Sequence, residues 1–544
     1  MKRVFKNFLY LGIICPVILL SSCTKLKDTN YSDLVSSQFQ ISGTEVGALL
    51  GAAYGSWRDV IFPSDWSEGL WLVQETCSDQ LCIPQKPYGW VDGGKHRRMH
   101  EHKWTVDDSY VSSVWWPSYQ GITNCNRVIA QVESLSLEET VKESLLAEVR
   151  VLRASFYWVL CDNFGNVPIM DKFDVPEGYL PKQSNRKEVY DFIVKEIIEA
   201  IPHLGDKNDA TIYARFNSKG AANALLAKVY LNAEVYTGVP RWEECLAACD
   251  AIITSGNYIL EANQKDVFRD QNQNSKEIIF SVPYDVIYTS NDDGVLNLMF
   301  DYTLPSPAQS TFDLKQQPWG GIVAIPQFIS TYHSNDKRLT EGWLFGQQYT
   351  SSGVPIKCTS GLTDSSLNIR NELPGIDSSQ EFHGYVINKY EIVQNGYTDI
   401  CNNDFVVLRY ADILMMKAEC LLRTGKPGAG QLVTEVRLRS FPGNPGAAIV
   451  SDDQLKQTSA YSYGLRNFHT TTNDNAVIPL GRFYDELGWE FVGEGHRRQD
   501  MIRFGLFTTK SWLSHSPGGT NKTIFPIPLD ELNKNINIKQ NPGY

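Results

Sequence analysis

The sequence predicts a mostly α-helical protein in which helical hairpins stack into a scaffold and an irregular, loop-rich lobe with short strands is set into it. Residues 216–236 carry the first observation: Ala222, Leu225, Leu226, Val229, Tyr230, Ala233 and Tyr236 share one stripe at i, i+3, i+4, i+7 spacing. Ala221, Ala224, Ala227 and Leu231 lie beside that stripe, so the helix must be packed from two directions. Asn217 or Ser218 caps its start, Gly238 and Pro240 stop it, and Trp242, Leu246, Cys249, Ile252 and Ile253 mark a second amphipathic helix ending at Gly256, which makes the pair an αα-hairpin. The third observation is a break in this pattern between Gly256 and about Asp404.

The elements follow in order. Lys2, Arg3 and Lys6 precede an apolar run over 8–20, then Ser21, Ser22 and Cys23, the layout of a secretory signal peptide over 1–22. Cys23 after Leu20-Ser-Ser resembles a bacterial lipobox, with Cys23 the lipidated mature N-terminus. Residues 23–40 read as a polar spacer and 41–544 as one unit. A helix is expected over 44–58, and an aromatic-bearing loop region over 61–104 with Trp66, Trp71, Tyr88, Trp90 and Trp104. Helices follow over 111–132, 137–163 and 189–201, then the hairpin, a strand over 278–284, and helices over 408–423, 433–438 and 483–492.

Phe164-Gly165 with Pro168, Thr237-Gly238 with Pro240 and Thr424-Gly425 with Pro427 end long helices in the same way. The units resemble tetratricopeptide repeats of two helices in roughly 34 residues, here over about 111–256 and 404–440. The stretch 257–403 interrupts them with Tyr284, Tyr288, Tyr302, Trp319, Tyr332, Trp343 and Tyr349 among Asn, Gln, Ser, Gly and Pro. Aromatic-rich loops held on a rigid base are where binding sites are built, so the ligand lobe is expected there.

A net charge of −12 and pI near 5.4 argue against a protein that neutralises nucleic-acid phosphates. Apart from the signal, no segment approaches a membrane span. The 11 cysteines sit mostly within helical patterns, where they act as small hydrophobes. Cys77 and Cys82 are the best-placed local pair for a bridge, and the absence of C-x-x-C argues against a zinc site.

Four stretches then resemble one family. They are Glu148-Val149-Arg150 through Phe164-Gly165-Asn166-Val167-Pro168; Leu408-Arg409-Tyr410-Ala411-Asp412 through Ala418-Glu419; Trp489-Glu490 through Gly493-Glu494-Gly495-His496-Arg497 with Asp500 and Arg503; and Phe525-Pro526-Ile527-Pro528 through Asn541-Pro542-Gly543-Tyr544 over the C-terminal region 476–544. With the lipobox they resemble the SusD/RagB outer-membrane lipoproteins. That resemblance implies a SusD-like fold, a cell-surface glycan-binding protein without enzymatic activity, and a SusC-like TonB-dependent transporter as partner. It implies no cofactor. Thr24-Lys25-Leu26-Lys27-Asp28 lacks the acidic run often associated with surface export, which leaves the outward orientation resting on the family alone.

A sugar presents C–H faces and a hydroxyl rim, so its receptors stack aromatics on the faces and place Asn, Asp, Gln or Arg at the edge. Trp319, between Pro318 and Gly320-Gly321, is the leading candidate; Tyr288 with Asn291, Asp292 and Asp293 follows, then Trp90 and Tyr88. Against each stands simple packing of the ring under its own loop. The basic string 95–103, with His96, His100 and His102, reads as a solvated strand or loop in preference to a metal site or a patch for acidic sugars. Glu490 and Glu494, one turn apart with Arg497 and Arg498 nearby, are poorly placed to straddle a glycosidic bond. Two alternatives stay open: capture of peptides or protein-derived ligands, and an exported glycoside hydrolase.

Overall fold

The residues described by the structure, a computed structural model, are 43–544 apart from 66, 88, 207–212, 286–288, 290–296, 360–364 and 395–400. Cys23, Tyr88, Tyr288, Asn291, Asp292 and Asp293 lie outside them.

The helical scaffold begins with α1 (Gly43–Ile61) and α2 (Gly69–Thr76), continues through the short α3 (Lys95–His100), and then runs in long elements: α4 (Ser109–Ser134), α5 (Glu139–Asn163) and α6 (Arg186–Ala200). The hairpin is α7 (Lys219–Leu231), the one-turn α8 (Ala233–Thr237) and α9 (Trp242–Ser255). Packing is sequential: α1 on α4, α4 on α5, α5 on α6, α7 on α9, and α9 on the helix Tyr410–Thr424, which carries Ala429–Leu438. This is the mostly-α hairpin stack read from the periodicity. The predicted two-sided helix is buried on both sides: Ala221, Ala222, Ala224, Leu225, Ala227 and Val229 are at most 1 % exposed. Ser218 caps it, accepting from the Ala221 N–H at 3.1 Å. Gly165, Gly238, Gly256 and Gly425 all take positive φ at helix exits, between 66° and 77°, the left-handed turn that ends a helix without steric penalty.

One predicted helix is two. The stripe through Tyr236 breaks at Asn232, whose amide donates to the Lys228 carbonyl at 3.0 Å while its oxygen accepts from Arg503 at 3.1 Å. The side chain competes with the backbone there, and helical geometry resumes one residue later. The region 61–104 is also more ordered than a loop: it holds α2, the strand Leu81–Cys82 and α3, and Trp71 and Trp104 belong to the core. Cys77 and Cys82 are free, buried thiols. The Cys77 thiol donates to the Val73 carbonyl, and burial pushes its pKa up to about 12.

The lobe is closed at its base by one antiparallel pair, Ile278–Val282 with Phe405–Arg409, in which Ile278 faces Arg409 and Val282 faces Phe405. A second pair, Leu81–Cys82 with Val323–Ala324, matches Leu81 to Ala324 and binds the 81–94 loop to the lobe. Among the described residues no helix is long and apolar enough to cross a membrane.

Candidate ligand-binding site

The Leu81–Ala324 pairing brings two candidate residues together. Trp90 lies nine positions beyond Leu81 and Trp319 five positions before Ala324, and the Trp90 indole N–H donates to the Trp319 carbonyl at 3.2 Å. The Trp319 loop is laced to the short helix Met299–Thr303: the amides of Trp319 and Gly320 both donate to the Asp301 carbonyl at 3.0 Å, and the Ile322 amide to the Tyr302 carbonyl at 2.9 Å. Tyr302, buried, is therefore beneath both tryptophans. Its ring stands edge-on to Trp319 at 5.4 Å and 88°, and tilted to Trp90 at 6.0 Å and 51°.

Both indoles remain half-buried, packed against the core on one side. Trp90 adopts φ 64°, a left-handed conformation unusual for a bulky residue. Gly321, at φ 122°, lets the ring approach: a Cβ there would meet the Trp90 indole at 2.7 Å. Two partly exposed indoles over a tyrosine, fixed by backbone hydrogen bonds, form a rigid aromatic surface of the kind that takes the C–H face of a sugar ring.

The charges around this surface are unequal. Burial lifts the Tyr302 phenol above its usual range, and the carboxylates of Glu68, Asp301, Asp92 and Asp65 raise it further. Glu68 is paired with Lys95 at 2.5 Å, and Asp92 contacts His96 at 3.2 Å. Lys86 is the counterweight: it is 3 % exposed, its ammonium lies 3.7 Å from the place of a Cβ on Gly320, and among the described residues it has no ion-pair partner. Burial pulls its pKa down to about 8, against the pull of Glu381.

The remaining aromatics of the lobe divide as simple packing predicts. Tyr284, Tyr332 and Trp343 are buried in the core, and Tyr349 is exposed away from any described ring. Tyr302 was not distinguishable from them in sequence, because what sets it apart is its contacts with residues 212 and 17 positions away.

The basic string is helical in place of the expected strand or loop, and part of it is solvated, with Arg97 52 % and Lys103 68 % exposed. It is α3 with its flanks: Lys95 pairs with Glu68, Arg97 with Glu101 and Asp377, Arg98 with Asp108 and Lys103 with Glu101, while His96, His100 and His102 are buried. Nearby carboxylates pair with the cations, while His102 Nε2 donates to the Cys77 carbonyl at 2.7 Å and His96 lies between the Tyr110 hydroxyl and the Asp92 carboxylate. No group of three or more His, Cys, Asp or Glu side chains among the described residues is arranged to hold a metal ion.

Glu490 and Glu494 are also placed differently from expectation. Their cations are Arg409, Arg439, Arg338 and Lys389, whereas Arg497 pairs with Asp79 at 2.7 Å and Arg498 with Asp162 at 3.0 Å. Arg409 is fully buried and reaches Glu277, Glu490 and Glu494 at 2.7–2.9 Å. Burial alone would raise the Glu490 carboxyl, but Arg439, Arg409 and Arg338 hold it well below its ordinary range. A permanently ionised carboxylate walled off from solvent cannot donate a proton to a glycosidic oxygen.

A family model described as "SusD family" matches residues 276–544, and one described as "Starch-binding associating with outer membrane" matches 76–231. Among curated proteins, the starch-binding protein SusD of Bacteroides thetaiotaomicron is 25% identical over 501 residues, covering 84% of this chain and 83% of its own length. Among solved structures, a laminarin-binding SusD-like protein superposes with a TM-score of 0.69 at 22% identity, over 92% of this chain and 99% of that one. Surface glycan-binding protein A from Bacteroides thetaiotaomicron, in complex with laminarihexaose, gives 0.68 at 20% identity, over 92% and 100%. These superpositions establish the fold as SusD-like.

Proposed function

Because this chain belongs to the SusD/RagB family, we propose that it binds glycan chains at the outer membrane on the Trp90–Tyr302–Trp319 platform and passes them to a partner SusC-like TonB-dependent transporter. The carrying observation is the Trp90–Trp319 hydrogen bond, which fixes two half-buried indoles over Tyr302. Relatives named for binding starch and laminarin, and one solved with laminarihexaose, support the ligand class.

In this reading the protein does no covalent chemistry. The ligand lobe is 257–403 completed by the 81–94 loop, with the helical hairpins as its base. Residues 1–22 are removed, Cys23 carries the lipid, the spacer 23–40 leads to the body, and the platform faces outward from the cell.

The test is a panel on the soluble protein from Thr24 onward: isothermal titration with maltoheptaose, laminarihexaose, acidic oligosaccharides and a peptide mixture, alongside a reducing-sugar assay on polysaccharide. The reading expects heat with at least one glycan and no release of reducing ends. Heat with peptides alone, or steady release of reducing ends, would overturn it.

A further inference from the structure

The rigidity of Trp90 has a source outside the lobe. His96, 4 % exposed on α3, has both ring nitrogens engaged: Nδ1 with the Tyr110 hydroxyl at 2.6 Å and Nε2 with the Asp92 carboxylate at 3.2 Å. A carboxylate only accepts, so in the neutral ring Nε2 carries the hydrogen and Nδ1 accepts from the Tyr110 O–H. Two struts of opposite polarity leave the imidazole one orientation. Its ring lies 5.5 Å from the Trp90 indole at 59°, and edge-on to Tyr110 at 5.7 Å and 89°.

The chain between Trp90 and His96 needs such a brace. Trp90, Asp92, Gly93 and Gly94 all have positive φ, at 64°, 39°, 61° and 78°. Non-glycine residues hold that conformation only when their surroundings over-determine it. Asp92 is held by its own side chain on His96, and Trp90 by Trp319, Gly321, Tyr302 and the His96 ring. The other end of the brace is anchored in the core, because Tyr110 on α4 is 1 % exposed.

We propose that His96 is a positioning residue for the platform: by tying the Asp92 turn to Tyr110, it sets the tilt of Trp90 and thereby glycan affinity, without touching the glycan. The proposal rests on the platform reading above.

Two arms test it separately. In the first, the soluble protein is labelled with 5-fluorotryptophan and the Trp90 line is assigned by Trp90→Phe. His96→Ala is expected to shift and broaden that line, and His96→Gln, which can donate to Asp92 and accept from Tyr110, to restore it. Asp92→Ala, which removes one strut from a half-exposed side chain, should give the same shift should His96→Ala fail to fold. In the second arm, titration with laminarihexaose and maltoheptaose should show roughly tenfold weaker binding for His96→Ala, near-wild-type binding for His96→Gln, and no further loss when His96→Ala is added to Trp90→Ala. A Trp90 line unmoved by His96→Ala and Asp92→Ala would overturn the brace. So would unchanged affinity in His96→Ala where Trp90→Ala and Trp319→Ala both lose it. If the wild type binds neither glucan, the glucan reading fails by itself and the fluorine arm decides whether His96 sets Trp90.

Discussion

The indole N–H of Trp90 donates to the main-chain carbonyl of Trp319 at 3.2 Å, across 229 positions of sequence. The bond joins the two half-buried rings of the platform through a backbone atom, so the geometry survives changes at either ring's outer face. It also makes the platform depend on the closeness of the two loops, which Gly321 permits.

Gly321→Ala should therefore weaken glycan binding. The added methyl would meet the Trp90 ring at 2.7 Å, and φ 122° is strained for any L side chain. We expect a loss of tenfold or more in affinity by titration, with destabilisation of about 1–3 kcal/mol in urea unfolding.

Lys86→Met should stabilise the protein at neutral pH. The folded-state pKa of about 8 lies below the ordinary 10.5. Between those values the unfolded chain binds more protons, so this lysine makes stability rise with pH across roughly 8 to 10.5. Urea unfolding should show a gain on the order of 2 kcal/mol for the variant at pH 7, shrinking as pH passes that window.

Glu75→Gln should alter the opposite slope. Burial raises the Glu75 carboxyl from 4.5 to about 7, although it accepts the Gly495 N–H at 2.7 Å. Here the folded state binds more protons, so the wild type loses stability as pH rises from about 4.5 to 7. Relative to wild type, Glu75→Gln should gain up to about 3 kcal/mol between pH 4.5 and 8. Parallel denaturation curves at the two pH values check this.

Arg409→Leu should be severe. It leaves Glu277, Glu490 and Glu494 with fewer cations in a buried site, and uncompensated buried charge typically costs about 3–5 kcal/mol. Urea unfolding or loss of soluble expression would report it. Glu490→Gln, by contrast, should leave reducing-sugar release from polysaccharide at the buffer level.

The helical scaffold was legible because burial on two sides writes a periodic pattern: the Ala222–Val229 stripe, the Ser218 cap and the glycine exits all describe local geometry. The interruption after Gly256 was legible for the same reason, as the place where period fails. Trp319 stood out as a candidate in sequence because Pro318 and Gly320 flank it. Its company did not. Tyr302 joins Trp90 at 6.0 Å across 212 positions, which the tertiary pairing of Leu81 with Ala324 brings together. Its 5.4 Å contact with Trp319 and the hydrogen bonds of His96 to Asp92 and Tyr110 are nearer in sequence but depend on how the loops and α4 fold. The partners of Glu490 were missed likewise, since nearby Arg497 and Arg498 face other carboxylates.

The most direct test of the account is isothermal titration of Trp90→Ala and Trp319→Ala against the glycan that the wild-type panel identifies. Removing a stacked indole should weaken binding by about 1–2 kcal/mol, roughly ten- to thirtyfold, for each variant. Melting midpoints should stay within a few degrees of wild type, because both rings are half-buried. Wild-type affinity in both variants, with the fold intact, would contradict the account and place the ligand elsewhere.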